Sequence, residues 1–184
     1  DLDLWVEDAT VAGYADDTAT SVSDENEDVV IQKLETDANR VLEYMASHLL
    51  SANPQKTGFL LIRRKKSNVC REIIVGKDRI KEQTSHRILG LKVNNSLTWK
   101  EHTDELLNSI HQRIGALRRI SYHVPSASLP SITSAIIASK IRYCIAVYGG
   151  LRLSNADPST EIDKSLQIAL NQAMRVVTRS RLRD

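Results

Sequence analysis

Near residue 99 the hydrophobic pattern of this chain changes period, and that change decides which folds are open to it. Before it, apolar residues come mostly in short runs separated by turn-forming residues, with one long three-and-four repeat among them. After it, only the three-and-four repeat remains. Short runs of that kind suit strands, and the repeat suits amphipathic helices. The expected fold is therefore α+β: a mixed region over 1–98 and an all-helical region over 99–184. A length of 184 residues suits one domain or a domain and a half.

Along the first region, runs at 9–13 and 18–22 read as paired strands. Asp24, with Glu27 three residues on, is a capping-box variant that opens a helix over 25–50. Its apolar stripe is Val30, Leu34, Ala38, Val41, Leu42, Met45 and Leu49, and Asn53-Pro54 ends it. A strand is expected at 59–62, then a basic turn, Arg63-Arg64-Lys65-Lys66. Ile73-Ile74-Val75 and Ile80 suggest one or two strands broken at Gly76, and a last strand is expected over 87–93.

In the second region Thr98 and Glu101 form a full capping box, and Trp99, Leu106, Ile110, Ile114 and Leu117 repeat on one helix face. Beyond Pro125 and Pro130 a second helix carries Ile132, Ile136, Ile137, Ile141, Cys144 and Val147 as far as Gly149-Gly150. Asp157-Pro158 opens a third, with Ile162, Leu166, Leu170, Ala173 and Val177 as its stripe.

Between the first two strand runs lies Tyr14-Ala15-Asp16-Asp17. Two-residue hairpin turns favour Asn-Gly, Asp-Gly or a leading Gly, because their central residues need positive φ. The sequence offers none of these and sets two like charges side by side, a local cost with no local gain. Such conflicts mark functional sites. A divalent cation is the natural compensation, since Mg²⁺ favours one or two carboxylates together with substrate phosphates. A solvated acidic turn is the other reading of the same residues.

Charge is unevenly spread. Of 23 acidic residues, ten lie in 1–28, which hold no Lys or Arg, so the rest of the chain sets 25 basic residues against the other 13. Carboxylates that bind a cation beside a basic body that holds a polyanion fit a metal-and-phosphate site; charge that only keeps the surface soluble also fits. With 41% apolar and 26% charged residues, whole-chain disorder is excluded. Cys70 and Cys144 form no CxxC pair, and the five histidines show no ligand spacing, so neither a disulfide framework nor a zinc site is suggested. The sequence shows no signal-peptide pattern and no apolar run of membrane-spanning length, so the expected setting is intracellular and reducing, not secreted and not in a membrane. The acidic opening at Asp1 and the close on Arg-Leu-Arg-Asp, inside a periodic segment, suggest a piece of a longer protein.

Tyr14-Ala15-Asp16-Asp17-Thr18 resembles the catalytic turn of reverse transcriptases, specifically those of non-LTR (LINE-type) retrotransposons. Four later features match that family in order: Asn53-Pro54-Gln55-Lys56-Thr57, Ile88-Leu89-Gly90-Leu91, Leu97-Thr98-Trp99, and the helical tail over 136–149. The resemblance covers essentially the whole chain. It implies a partial right-hand polymerase palm, antiparallel strands with a packed helix, followed by a helical thumb. It also implies an RNA-directed DNA polymerase that extends a DNA primer on an RNA template with deoxynucleoside triphosphates, using Mg²⁺ or Mn²⁺. The parent element would act in the nucleus.

Carried over residue by residue, Asp16 would ligate the metal ions and Asp17 would support the same site. Lys56 would handle the nucleotide's phosphates or protonate the leaving group; without the family it is a lysine near a helix C-terminus. Leu89 and Gly90 match the hairpin that grips the primer end, although a strand bulge serves as well. Tyr14, Arg63, Arg64, Arg113 and Arg118 are the further candidates for contact with nucleic acid, Arg113 and Arg118 from a helix laid along a duplex; a solvated hairpin tip at 63–66 and a plain amphipathic helix are the other readings of these arginines. The family has another metal-binding aspartate on an upstream strand, and Asp1, Asp3 and Asp8 lie too close to the turn to replace it. The isolated chain is thus expected to be inactive until joined to the remainder of its parent polymerase. The alternative is a non-catalytic nucleic-acid-binding remnant of a degenerate retroelement.

Overall fold

A computed structural model describes residues 2–53, 55–63, 69–148 and 161–180, the first three of the last stretch by backbone alone. Pro54, Arg64, Lys65, Lys66, Gly149-Gly150, Asp157-Pro158 and the side chain of Ile162 lie outside the described residues. The fold is α+β, and the chain divides into two compact units, Asp1–Leu97 and Thr98–Asp184. No helix among the described residues is long and apolar enough to cross a membrane.

In the first unit, β1 (Thr10–Tyr14) and β2 (Asp17–Ser21) form an antiparallel hairpin closed by the pair Tyr14↔Asp17. Then come α1 (Glu27–Ser47) and two more hairpins, β3 (Glu72–Val75) with β4 (Asp78–Lys81) and β5 (Ser85–Ile88) with β6 (Leu91–Asn94). Each pair is its own two-stranded sheet. Such sheets need a packed face to persist. Phe59, Ile73, Val75 and Ile80 supply one, covered by Ile31, Leu34, Ala38 and Leu42 of α1. The outer edge of β3 is capped by helix side chains: Ile74 N–H donates to Glu35, Asn39 donates to the Ile74 carbonyl, and Gly76 N–H donates to Asn39. Edge strands left bare invite pairing with other chains, and here α1 blunts one.

Several sequence expectations need correction here. Asn26, not Asp24, caps α1: its side chain accepts from Asp28 N–H at 2.9 Å, and Asp24 in turn accepts from Asn26 N–H. Glu27 cannot complete a capping box because its carboxylate is turned to Arg63 and Arg71. The helix also stops before residue 50. Leu49 adopts φ 59°, and the N–H groups of Leu49 and Leu50 return to the carbonyls of Ala46 and Met45, a Schellman ending with leucine where glycine is usual. At 59–62 there is no strand, only a single parallel bridge, Phe59↔Glu82, with Phe59 and Leu61 buried. The run over 87–93 is two strands, because Leu89 (φ 47°) and Gly90 (φ 81°) turn the chain back on itself with the sign pattern of a type I′ turn.

The second unit is all helical. α2 (Lys100–Ile120) buries Thr103, Leu106, Ile110, Ile114 and Leu117. Its N-cap is Trp99, at φ 57° and without a side-chain cap bond, one residue beyond the Thr98 that the sequence pointed to. Thr103 Oγ1 donates to the carbonyls of Trp99 and Lys100. The expected helix from 132 onward is broken into α3 (Leu129–Thr133), a π segment at Ser134–Ala138, α4 (Ser139–Arg142) and α5 (Ile145–Tyr148). Its buried stripe is Leu129, Thr133, Ile137, Ile141 and Tyr148, while Val147 is exposed. Cys144 at φ 52° makes the break, and the Tyr148 hydroxyl closes it by donating to the Ile141 carbonyl. α6 (Glu161–Thr178) lays Leu166, Ala169 and Ala173 inward, small residues that let helices approach closely.

Candidate active site

The β1–β2 turn takes positive φ at Ala15 (54°), the first of its two central residues. A side chain there is strained by roughly 1 kcal/mol. The turn is therefore held in shape by what surrounds it and not by its own preferences. Tyr14, Asp16 and Asp17 are all exposed, Tyr14 at 71%.

Five of the acidic residues flanking this tip are paired, Asp3 and Glu25 make no ion pair with a described base, and neither do the two on the tip. Glu7 pairs with Arg40 at 2.8 Å, Asp8 and Asp24 share Lys33 at 3.2 Å each, Glu27 pairs with Arg63 and Arg71, and Asp28 pairs with Arg71. No described Lys or Arg pairs with Asp16 or Asp17. Two adjacent carboxylates left uncompensated offer hard oxygen donors of the kind Mg²⁺ and Mn²⁺ take. No described group of three or more His, Cys, Asp and Glu residues could hold a metal, so the pair has no third protein ligand among them.

An open trough of about 2490 Å³ lies within the first unit. Tyr14, Asp17, Lys56, Arg63, Leu89 and Gly90 all reach its wall, and Asp16 stands outside it at the corner of the turn. Lys56 is exposed and is set by Asn53, whose carbonyl accepts from Lys56 N–H at 3.0 Å and Thr57 N–H at 3.1 Å. Asn53 Oδ1 accepts from Gln55 N–H as well. Because α1 ends at Ser47, a helix dipole does not account for Lys56.

Two of the expected nucleic-acid contacts are used internally. Arg63 donates through Nε and Nη2 to both oxygens of Glu27, at 2.9 and 2.8 Å, and through Nη1 and Nη2 to Glu82. Its side chain is only 13% exposed, and the two carboxylates take up four of its five N–H groups. Arg113 clasps the π segment of the second unit, donating to the Ile136 carbonyl at 3.2 Å. Arg118 and its neighbour Arg119 are exposed, and Arg64 lies outside the described residues.

The residues that anchor the segment entering β1 escaped sequence reasoning. Asp37 of α1 is fully buried and accepts from the N–H groups of Glu7, Asp8 and Ala9 at 3.1, 2.9 and 2.7 Å, and from Arg40 at 3.1 Å. Lys33, Asp37, Arg40 and Tyr44 form one stripe along α1, and Trp5 packs edge-on against Tyr44. That stripe was visible as a helical repeat of residues able to pair, but its partners lie about thirty residues away in sequence.

Folding lowers the pKa of several of these carboxylates. Arg63, then Arg71, holds Glu27 down at about 2 against the push of burial. Burial raises Asp37, but the three backbone N–H groups and Arg40 outweigh it. Arg63 and the Arg71 N–H hold Glu82 low against burial. The folded chain therefore binds these protons less readily than the unfolded chain. For Glu27 the stabilisation is complete above about pH 4.5 and is lost as pH falls toward about 2, and Asp37 and Glu82 add to the loss on acidification. In a Trp99→Phe protein, where Trp5 alone reports, the urea midpoint of the first unit should fall steadily across that window.

The chain matches no protein-family model, no curated protein and no solved structure.

Proposed function

We propose that this chain carries part of the nucleotidyl-transfer site of an RNA-directed DNA polymerase of the non-LTR retrotransposon type. Its first unit acts as a partial palm and its second as a thumb-like helical region. One observation carries the reading: Asp16 and Asp17 stand side by side on a strained hairpin turn with no described base within ion-pair distance, while Glu7, Asp8, Asp24, Glu27 and Asp28 nearby are all paired. The sequence resemblance, with Lys56, Leu89 and Gly90 lining the same trough as Asp17, supports it.

On this reading Asp16 and Asp17 hold Mg²⁺ or Mn²⁺, which supplies Lewis acidity to the primer 3′-hydroxyl and the departing pyrophosphate. Lys56 faces the triphosphate. The β5–β6 turn, with Gly90 lacking a side chain, lets the primer end approach closely, and Tyr14 contributes an aromatic face beside it. Arg118 offers a phosphate contact from the second unit. The carboxylate pair is half of a two-metal site, and the remaining ligand comes from the rest of the parent chain. The cell compartment follows the element, which copies itself in the nucleus.

The test uses Mn²⁺ as a paramagnetic probe. Amide resonances of residues 14–18 should broaden at Mn²⁺ concentrations on the order of 1 mM. Asp16→Asn together with Asp17→Asn should weaken this at least about ten-fold, roughly 1.4 kcal/mol. Broadening spread over Asp3, Glu25 and other acids alike, and unchanged by the double substitution, would reject the metal site. If DNA or RNA binding then persists in chelator and survives Asp16→Ala, the non-catalytic remnant is the better description.

A further inference from the structure

The β1–β2 ribbon receives little packing of its own. Residues 12–19 are exposed on both faces, and the ribbon belongs to a two-stranded sheet with no third strand among the described residues. A ribbon of that kind is marginal in water. Its order must come from the ends of its two strands, and both ends are fastened to one helix.

On the incoming side, residues 5–9 run antiparallel to the α1 stripe. Trp5 meets Tyr44, Glu7 meets Arg40, the N–H groups of Glu7, Asp8 and Ala9 converge on Asp37, and Asp8 reaches Lys33. Four successive turns of one helix thus fix the direction in which the chain enters β1. On the outgoing side, Asp24 returns to the same Lys33, at 3.2 Å. One ammonium group therefore ties the segment before β1 to the segment after β2.

We propose that Lys33, Asp37 and Arg40 are positioning residues for the Asp16–Asp17 tip. Asp37 and Arg40 set the entry of the ribbon, and Lys33 closes its base. None of the three reaches the tip. They act by holding together a ribbon whose central turn is strained, so that both carboxylates are presented at once. The inference rests on the reading of the tip as a metal site. A ribbon that opens part of the time binds its cation with an affinity scaled by the fraction of time it is closed.

Lys33→Met is the informative variant, because it removes both closing ion pairs and keeps the aliphatic stem. Hydrogen exchange should quicken about ten-fold at the cross-strand amides of β1 and β2, with those of α1 and β3–β4 unchanged. Mn²⁺ broadening at residues 14–18 should weaken as well, by the accompanying loss of closed ribbon. Lys33→Arg, which can still reach two carboxylates, should restore both, a rescue that a merely structural lysine at an exposed site would not require. Exchange that is unaltered in the ribbon, or quickened uniformly through the first unit, overturns the proposal. If wild-type protein shows no localised Mn²⁺ broadening, the metal reading falls by itself, and the exchange pattern still decides whether Lys33 closes the ribbon.

Discussion

Replacing Arg63 by alanine should destabilise the first unit by about 3–5 kcal/mol, enough to unfold most marginal domains. The sequence invites a milder expectation, since Arg63 opens the basic run 63–66 and reads as a surface phosphate contact. In the structure its guanidinium is the only described cation within ion-pair distance of Glu82, whose side chain is 8% exposed, and it grips Glu27 bidentately as well. Removing it leaves one nearly buried carboxylate uncompensated, and stranding a charge costs more than the intact pair contributes. Arg71 pairs with Glu27 and Asp28 and gives Glu82 only its backbone N–H, so it cannot substitute. Lysine in place of Arg63 should recover little, because a point charge cannot fork between two carboxylates. The measurement is urea denaturation followed by Trp5 emission in the Trp99→Phe background. A double-mutant cycle with Glu82→Gln should return a coupling above about 1 kcal/mol, since the neutral amide no longer needs the cation. A loss below about 1 kcal/mol for Arg63→Ala would mean the network is solvated and Arg63 available to nucleic acid after all.

Arg63 shows where the sequence stops being readable. Its partners lie 36 and 19 residues away, and nothing local distinguishes an arginine that folds inward from one that meets solvent. Local features fared better. The body of α1 follows from its three-and-four repeat, the stripe of α2 follows from Leu106, Ile110, Ile114 and Leu117, and the hairpin at Tyr14 follows from two strand-like runs flanking a short polar turn. The ends of elements were less legible because tertiary demands displaced local ones. Glu27 could have completed a capping box but is held by two arginines instead. Leu49, Leu89, Trp99 and Cys144 all take left-handed backbone at positions where their residue types argue against it, so breaks that glycine or asparagine would have announced stayed hidden. The strand expected at 59–62 failed for a related reason. Side-chain burial of Phe59 and Leu61 mimics strand alternation, while only Phe59 finds a backbone partner. At the candidate site, the tip carboxylates and Lys56 were visible as motif residues. The partners of the α1 stripe were not, because the segment that crosses it comes from about thirty residues away in the chain.

Asp37→Ala should cost the first unit about 3 kcal/mol and detach residues 5–9 from α1. Three backbone N–H groups and Arg40 converge on this carboxylate, which is fully buried. Alanine would leave those donors facing an apolar void, at roughly 1–3 kcal/mol for each that stays dry. The chain lowers that cost by letting the segment peel away into water, so the loss should settle near the lower end of the sum. Detachment then has a signature that simple destabilisation lacks. Trp5 leaves Tyr44, its emission shifts to the red in folded protein at neutral pH, and protection in β1 falls while α1 stays protected. Asp37→Asn should be nearly as damaging, because the new amide would point a donor at existing donors. Arg40→Ala should be much milder, since its pair with Glu7 is half in solvent and Asp37 keeps its three backbone donors. The acid sensitivity gives a second check. Because folding lowers the pKa of Asp37, wild-type protein loses that stabilisation on acidification; the Asp37→Asn protein has none to lose, so its stability should depend less steeply on pH. A variant that keeps Trp5 in place, with wild-type protection in β1, would show that the strand entry is fixed by packing and not by this carboxylate.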